Sequence, residues 1–568
     1  MSIYDMVGGL KPGRSSFDLS HAKIFDCDIG QLVPVLCQEV LPGDFHEISA
    51  AHIIKMQPMV VPVYHRMSVY YHTFFVPMRL LWDKWEKFIT GGVNGDLTIA
   101  LPNVLVDNDF SLDVSIKQYG LWDFFGFPLE SATPGSRTFD HPTSVNDFLW
   151  RAYWAIWRDY YRDENFQTVF PGTTIECGQD LSDQLIALND YMAHTHINMD
   201  SGYNLWTCDK VGYRCFQKDY FTAATPWQQR GTSPAIPVSG TTSAVWDIGH
   251  FYSSTEDEAL NGIYSHPEIR NDITGQNLFG LRNDSATGSG AASGKAAKNL
   301  QGALNGNHVD FTAVGVDIND LRFAVQTQKW MERNARGGFR YNEQLQTHFG
   351  VSPRDERLNR PEYIGGMMQP VITSEVLQTS STDTESPQGT FAGHGMAVGK
   401  DFVGKYHAKE HGIILGIMSI MPEAVYQQGI KRTWRKKTRF DYYSPEFAHL
   451  SEQEIALGEI YFQDSSNDEN RFGFQGAYDE YRQQNSMVCG KIANELKYWT
   501  LSRIFDSAPS LNEAFITTEA LSKTRREAWA VPGVTGNLQG EFLVQWRNLH
   551  KAMRLMPYIP EPGLLDHF

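Results

Sequence analysis

Residues 67–82, MSVYYHTFFVPMRLLW, place apolar or aromatic side chains on both alternating faces. A strand with one wet face would alternate with polar residues, so this pattern predicts a strand covered on both sides, in sandwich core. The most apolar segment, GIILGIMSIM at residues 412–421, stops at Pro422. It falls well short of the roughly 20 residues that span a bilayer as a helix, and no membrane span is predicted. Between residues 144 and 161 the period changes. Val145, Phe148, Leu149, Ala152, Ala155, Ile156 and Tyr160 recur at helical spacing, with Ser144 placed to cap the start. Trp150, Trp154 and Trp157 fall on the other faces, which predicts a helix buried nearly all round or lying in an interface.

Leu181, Leu185, Leu188 and Met192 form one stripe and predict a second helix over residues 180–194. A third is expected over residues 318–336, stopped by Gly337 and Gly338. These helices interrupt β-like runs punctuated by Pro and Gly instead of alternating with them. A mainly β fold with helical insertions is therefore preferred to a doubly wound α/β sheet.

Residues 1–30 are rich in Gly, Ser and polar side chains and read as an extended N-terminal arm of the kind that ties subunits together. Residues 31–568 read as a single decorated domain. Within it, residues 231–315 break the composition: from Asn283 to His308 small and polar residues dominate, which predicts an exposed surface insertion. Such a segment is either a bland flexible loop or a recognition element.

Composition narrows the class. The 568 residues are 42% hydrophobic and 20% charged, which suits a folded chain with a substantial core. Aromatics reach 13%, favouring sheet faces and buried interfaces. With 49 Lys and Arg against 66 Asp and Glu the formal charge is -17, so this surface cannot wrap nucleic acid uniformly, and any such contact is local or assisted. Six cysteines without a C-x-x-C pair, and an N-terminus without a signal-peptide core, point to a reducing cytoplasm and no disulfide framework.

Catalytic patterns fail on their spacing. Gly288, Gly294 and Lys295 hint at a phosphate loop, but five residues separate those glycines and Ala296 follows the Lys where Ser or Thr is required. No G-x-S-x-G elbow or H-E-x-x-H helix occurs. His194 and His196 would share a face of a strand, yet no third ligand stands in a recognised spacing, so neither a metal nor a cofactor is expected. Acidity and aromatics together leave open a carbohydrate-active or carbohydrate-binding β-protein, with no carboxylate pair singled out. The strongest electrostatic signal is IKRTWRKKTRF at residues 430–440, a reversal of charge in an acidic chain. Lys431, Arg432, Arg435, Lys436, Lys437 and Arg439, interleaved with Trp434, suit phosphate contact and stacking on an unpaired base. Pairing of these cations with acids of a neighbour is the competing reading. Weaker basic groups stand at Lys329, Arg333, Arg336 and Arg340, and at Lys523, Arg525 and Arg526.

Several longer phrases carry a resemblance. RSSFDLSH at residues 14–21 and EVLPGDFHEI at residues 39–48 resemble the amino-terminal region of the major capsid proteins of small icosahedral single-stranded-DNA bacteriophages, the gokushovirus-like microviruses. QTQKWMERNARGGFRYNEQLQTHFGV at residues 326–351, RLNRPEYIGG at residues 357–366, VLQTS at residues 376–380 and YQQGIKRTWRKKTRFDYYSPEFAHL at residues 426–450 follow in the family's order. The resemblance implies an eight-stranded viral jelly roll with long loop insertions containing several helices. It implies a structural protein, not an enzyme, whose pentamers close a T=1 icosahedral shell of roughly sixty copies. It also implies a circular single-stranded DNA genome, a small basic packaging protein, a scaffolding protein, a bacterial surface receptor, assembly in the host cytoplasm and residence in the virion. The run from Lys431 to Arg439 becomes the candidate DNA contact. By the same analogy the insertion builds a threefold protrusion for host attachment, with Asn283, Ser285, Ser289, Ser293, Lys295, Lys298 and Asn305 as its candidate residues.

Overall fold

The computed structural model describes residues 13–57, 63–167, 211–232, 318–377, 391–521 and 540–559, with short breaks in several of these stretches. The predicted helix at 180–194, His194 and His196, the candidate attachment residues 283–305 and the basic group at 523–526 lie outside the described residues. By compactness the chain divides into a large unit, Met1–Arg230 with Glu332–Phe568, and a small one, Gly231–Met331. In the small unit the description covers residues 231, 232 and 318–331.

The large unit is built on nine long strands: β1 (Ser15–Asp18), β2 (His21–Cys27), β3 (Val33–Val40), β4 (Phe45–Met56), β5 (Met67–Pro77), β6 (Glu362–Leu377), β7 (Phe391–His407), β8 (Gly412–Pro422) and β9 (Phe542–Arg554). Every pairing among them is antiparallel. One four-stranded sheet runs β3–β8–β5–β6 and the other β2–β9–β4–β7, with β1 also on β9. From β2 to β9 the chain alternates between the two sheets, except that β5 and β6 are neighbours in one of them. That is the connectivity of an eight-stranded jelly roll. The sheets are continuous through β6, whose residues 362–371 pair with β5 and whose residues 372–377 pair with β7.

The two inner faces make the core. Trp546 of β9 is fully buried, lies parallel to the His52 ring of β4 at 5.2 Å and reaches Tyr71 of β5, in the opposite sheet, at 4.9 Å. Such contacts fill the slab between sheets. Gly416 of β8 leaves room for Tyr71: a Cβ there would lie 2.3 Å from the Tyr71 hydroxyl. Some polar groups trapped in the slab are paired, as where Asn548 of β9 donates to the Val35 carbonyl of β3 at 2.8 Å.

The expected central strand is β5, followed by the turn of helix Met78–Leu81, and the apolar segment at 412–421 is β8, buried throughout. The tryptophan-rich helix is Phe148–Ile156, with eight of its residues buried, and it starts later than predicted. Ser144 belongs to strand Thr143–Asn146, paired with Asn103–Asp107, and the N-cap position falls to Asp147. Asp147 forms an ion pair with the buried Arg151 at 2.8 Å, one helical turn on, which neutralises both charges inside the protein. The third predicted helix is Ile318–Gly337; Gly338, at φ 84°, ends it where a side chain would be strained. Of the expected arm, residues 15–27 form β1 and β2 on the edge of the sheet against β9.

Candidate nucleic-acid interface

Two excursions interrupt the jelly roll, one between β5 and β6 and one between β8 and β9. They share a second apolar cluster in which Tyr220, Phe221 and Ala224 pack with Tyr426, Ile455 and Phe472. Short bridges stitch them together, Cys215 to Thr517 and Thr225 to Phe474 among them. The basic run leaves this cluster as a short helix, Arg432–Arg435, followed by a 3-10 turn, Arg439–Asp441.

Carboxylates of the same chain meet most of its charge. Arg432 donates to Glu459 at 3.0 Å and to the Glu454 carbonyl at 2.7 Å. Burial, the largest single influence, lowers its pKa, yet Glu459, Tyr220 and Glu480 together outweigh that and hold it above the ordinary value. Lys436, only 3% exposed, pairs with Glu480 at 3.1 Å and donates to the Tyr481 hydroxyl at 2.8 Å. Its ammonium lies 4.0 Å above the Tyr481 ring. Glu469 takes both Arg435 and Lys437, each at 3.1 Å.

The seven candidates therefore divide by environment. Arg432 and Lys436 are built into the fold, and Arg435 is clamped between Glu469 and the Asp468 carbonyl. Lys431, Trp434, Lys437 and Arg439 face solvent, with Trp434 82% exposed. The weaker basic group is engaged too, since Arg336 pairs with Glu452 and Arg340 with Glu164.

The sequence reading missed a larger feature. The outer side of β5 floors a cavity of about 1000 Å³, where the Arg214 guanidinium lies 4.4 Å over the Tyr70 ring and Arg360 lies 4.3 Å over Tyr160. Period-2 alternation puts Tyr70, His72 and Phe74 together there, a signal present in the sequence, but the arginines come from distant loops. His72 donates to or accepts from the Tyr161 hydroxyl at 2.8 Å, and burial pushes its pKa down to about 4.

Two four-stranded sheets wound as a jelly roll and carrying long excursions define a class of shell-forming viral proteins, although lectins and cupins share the topology. Sequence relationships decide between them. Residues 6–564 match the family described as capsid protein (F protein). The chain is 31% identical to capsid protein VP1 of Chlamydia phage 1, over 97% of this chain and 96% of that one. It is 31% identical to capsid protein VP1 of Bdellovibrio phage phiMH2K, over 89% and 87%, and 27% identical to that of Spiroplasma virus 4, over 99% and 97%. The chain belongs to this family of bacteriophage capsid proteins, as the resemblance to the gokushovirus group implies. Its role is that of a major capsid protein, self-assembling into the virion shell, and the carbohydrate reading finds no support among these relatives.

Proposed function

We propose that this chain is the repeating subunit of a T=1 icosahedral shell that encloses a circular single-stranded DNA genome and performs no catalysis. The family match over nearly the whole chain carries this reading. A formal charge of -17 cannot neutralise a polyanion, so a small basic protein is assigned the bulk of charge compensation inside the shell. Assembly takes place in the host cytoplasm with a scaffolding protein. The solvent-facing members of the basic run, Lys431, Trp434, Lys437 and Arg439, supply a local contact to DNA or to a neighbouring subunit. The segment around Asn283 to Asn305 meets the bacterial receptor, its small polar side chains suiting an exposed tip.

The test is nuclease protection. Particles purified from infected cells are treated with nuclease, opened, and their nucleic acid is exposed to a single-strand-specific nuclease. Protected DNA that is then degraded supports the reading. Particles without DNA, or with duplex DNA only, contradict it.

A further inference from the structure

We propose that single-stranded DNA lies across the outward face of the β2–β9–β4–β7 sheet, an assignment that rests on the genome-enclosing reading above. On β4 the odd-numbered residues from Phe45 to Lys55 point away from the core and the even-numbered ones point into it; β9 alternates in the same way. The register then fixes which outward side chains stand side by side. Lys400 of β7 and Arg547 of β9 flank Ala51 of β4, and Lys405 and Lys551 flank Glu47. Each pair is separated by two strand spacings, about 10 Å.

The charge of this face runs against that of the chain. On β2, β4, β7 and β9 it carries Lys55, Lys400, Lys405, Arg547 and Lys551 against Glu47 and Asp26, with Asp401 exposed next to Lys400, while the whole chain has 49 basic and 66 acidic residues. Glu47 is already taken by Lys405 at 3.4 Å. Asp18 on the edge strand β1 feels Lys551 and Arg547. Among the described residues, Lys55, Lys400, Arg547 and Lys551 close no ion pair. This is the reverse of the basic run, whose cations are largely met by carboxylates of their own chain.

Among exposed aliphatic side chains such as Ile53, Val398 and Leu543, the same face carries two exposed aromatic rings. Phe402, 51% exposed, stands opposite Ser49, between the two cation pairs. Phe45, 44% exposed, lies parallel to the His407 ring at 4.1 Å. Cations in rows with aromatic rings between them offer phosphate contact and base stacking together, the combination by which unpaired strands are held without sequence preference.

Ultraviolet crosslinking of intact particles tests the assignment, with tryptic peptides searched for nucleotide adducts by mass spectrometry. Adducts are expected on the peptides that contain Phe45 and Phe402, and their loss is expected in particles of the variant K400Q/R547Q/K551Q. DNA present in the particles with adducts confined to other peptides, or with none, overturns the assignment and leaves the genome-enclosing reading standing. Particles that protect no DNA overturn both. Should the triple variant fail to assemble, the adduct map of the unaltered particle decides alone.

Discussion

Acid should weaken the jelly roll through His52, and the size of the effect follows from where that ring sits. His52 is 2% exposed, lies parallel to Trp546, and among the described residues neither ring nitrogen has a hydrogen-bond partner. Burial drives its pKa from 6.5 down to about 4, so the ring is neutral in the folded chain at pH 5 and mostly protonated in the unfolded chain. The unfolded state then binds the extra proton, and stability is lost as pH falls from above 6.5 toward 4. At pH 5 the loss is about 2 kcal/mol for this one group. His46 and His550, joined by a 2.8 Å hydrogen bond and lowered by burial to about 4 and about 3, add to it as a pair. Urea unfolding of the dissociated subunit at pH 7 and pH 5, for the unaltered chain and H52F, isolates the His52 share. H52F should retain about 2 kcal/mol more of its pH 7 stability at pH 5. Equal losses in the two proteins would show that His52 does not carry the pH dependence.

Three further outcomes are expected. Lys436→Gln takes from the half-buried Glu480 its nearer cation, leaving Arg432 at 4.0 Å, and should destabilise the subunit by about 1–3 kcal/mol in urea, whereas Lys437→Gln, on an exposed pair, should change stability by less than about 1 kcal/mol. Gly416→Val forces a side chain onto the Tyr71 hydroxyl and should cost about 1–3 kcal/mol, read as a lowered melting temperature. Deletion of residues 285–302 should leave particle yield unchanged and reduce adsorption to host cells, measured by the infectivity left in the supernatant.

Local elements were legible where one stretch carried the whole signal. The two-faced apolar pattern of β5, the unbroken apolar run of β8 and the helical recurrence behind Phe148–Ile156 each reflect burial of a continuous segment. Strand order was not legible from periodicity, because the partners are remote: Cys27 of β2 pairs with Phe542 of β9. The edge strands β1 and β2 looked like an arm because residues 1–30 are rich in Gly, Ser and polar side chains with little periodicity, and pairing to β9 is what orders them. Ser144 passed for a helix cap because a strand directly precedes Asp147. In the candidate interface the cations were visible as a run, but Glu459, Glu469 and Glu480 join them only in three dimensions. The opposite holds on the outer sheet face. Its cations are spread over three strands remote in sequence, so no sequence window shows them together.

The central claim is that this chain closes a shell around single-stranded DNA. Native mass spectrometry of particles purified from infected cells, paired with electron microscopy of the same sample, tests it most directly. Closed icosahedral particles holding roughly sixty copies of the chain together with protected DNA are expected. Particles in which the chain is absent or a minor component, or the chain recovered only as small DNA-free species, would contradict it.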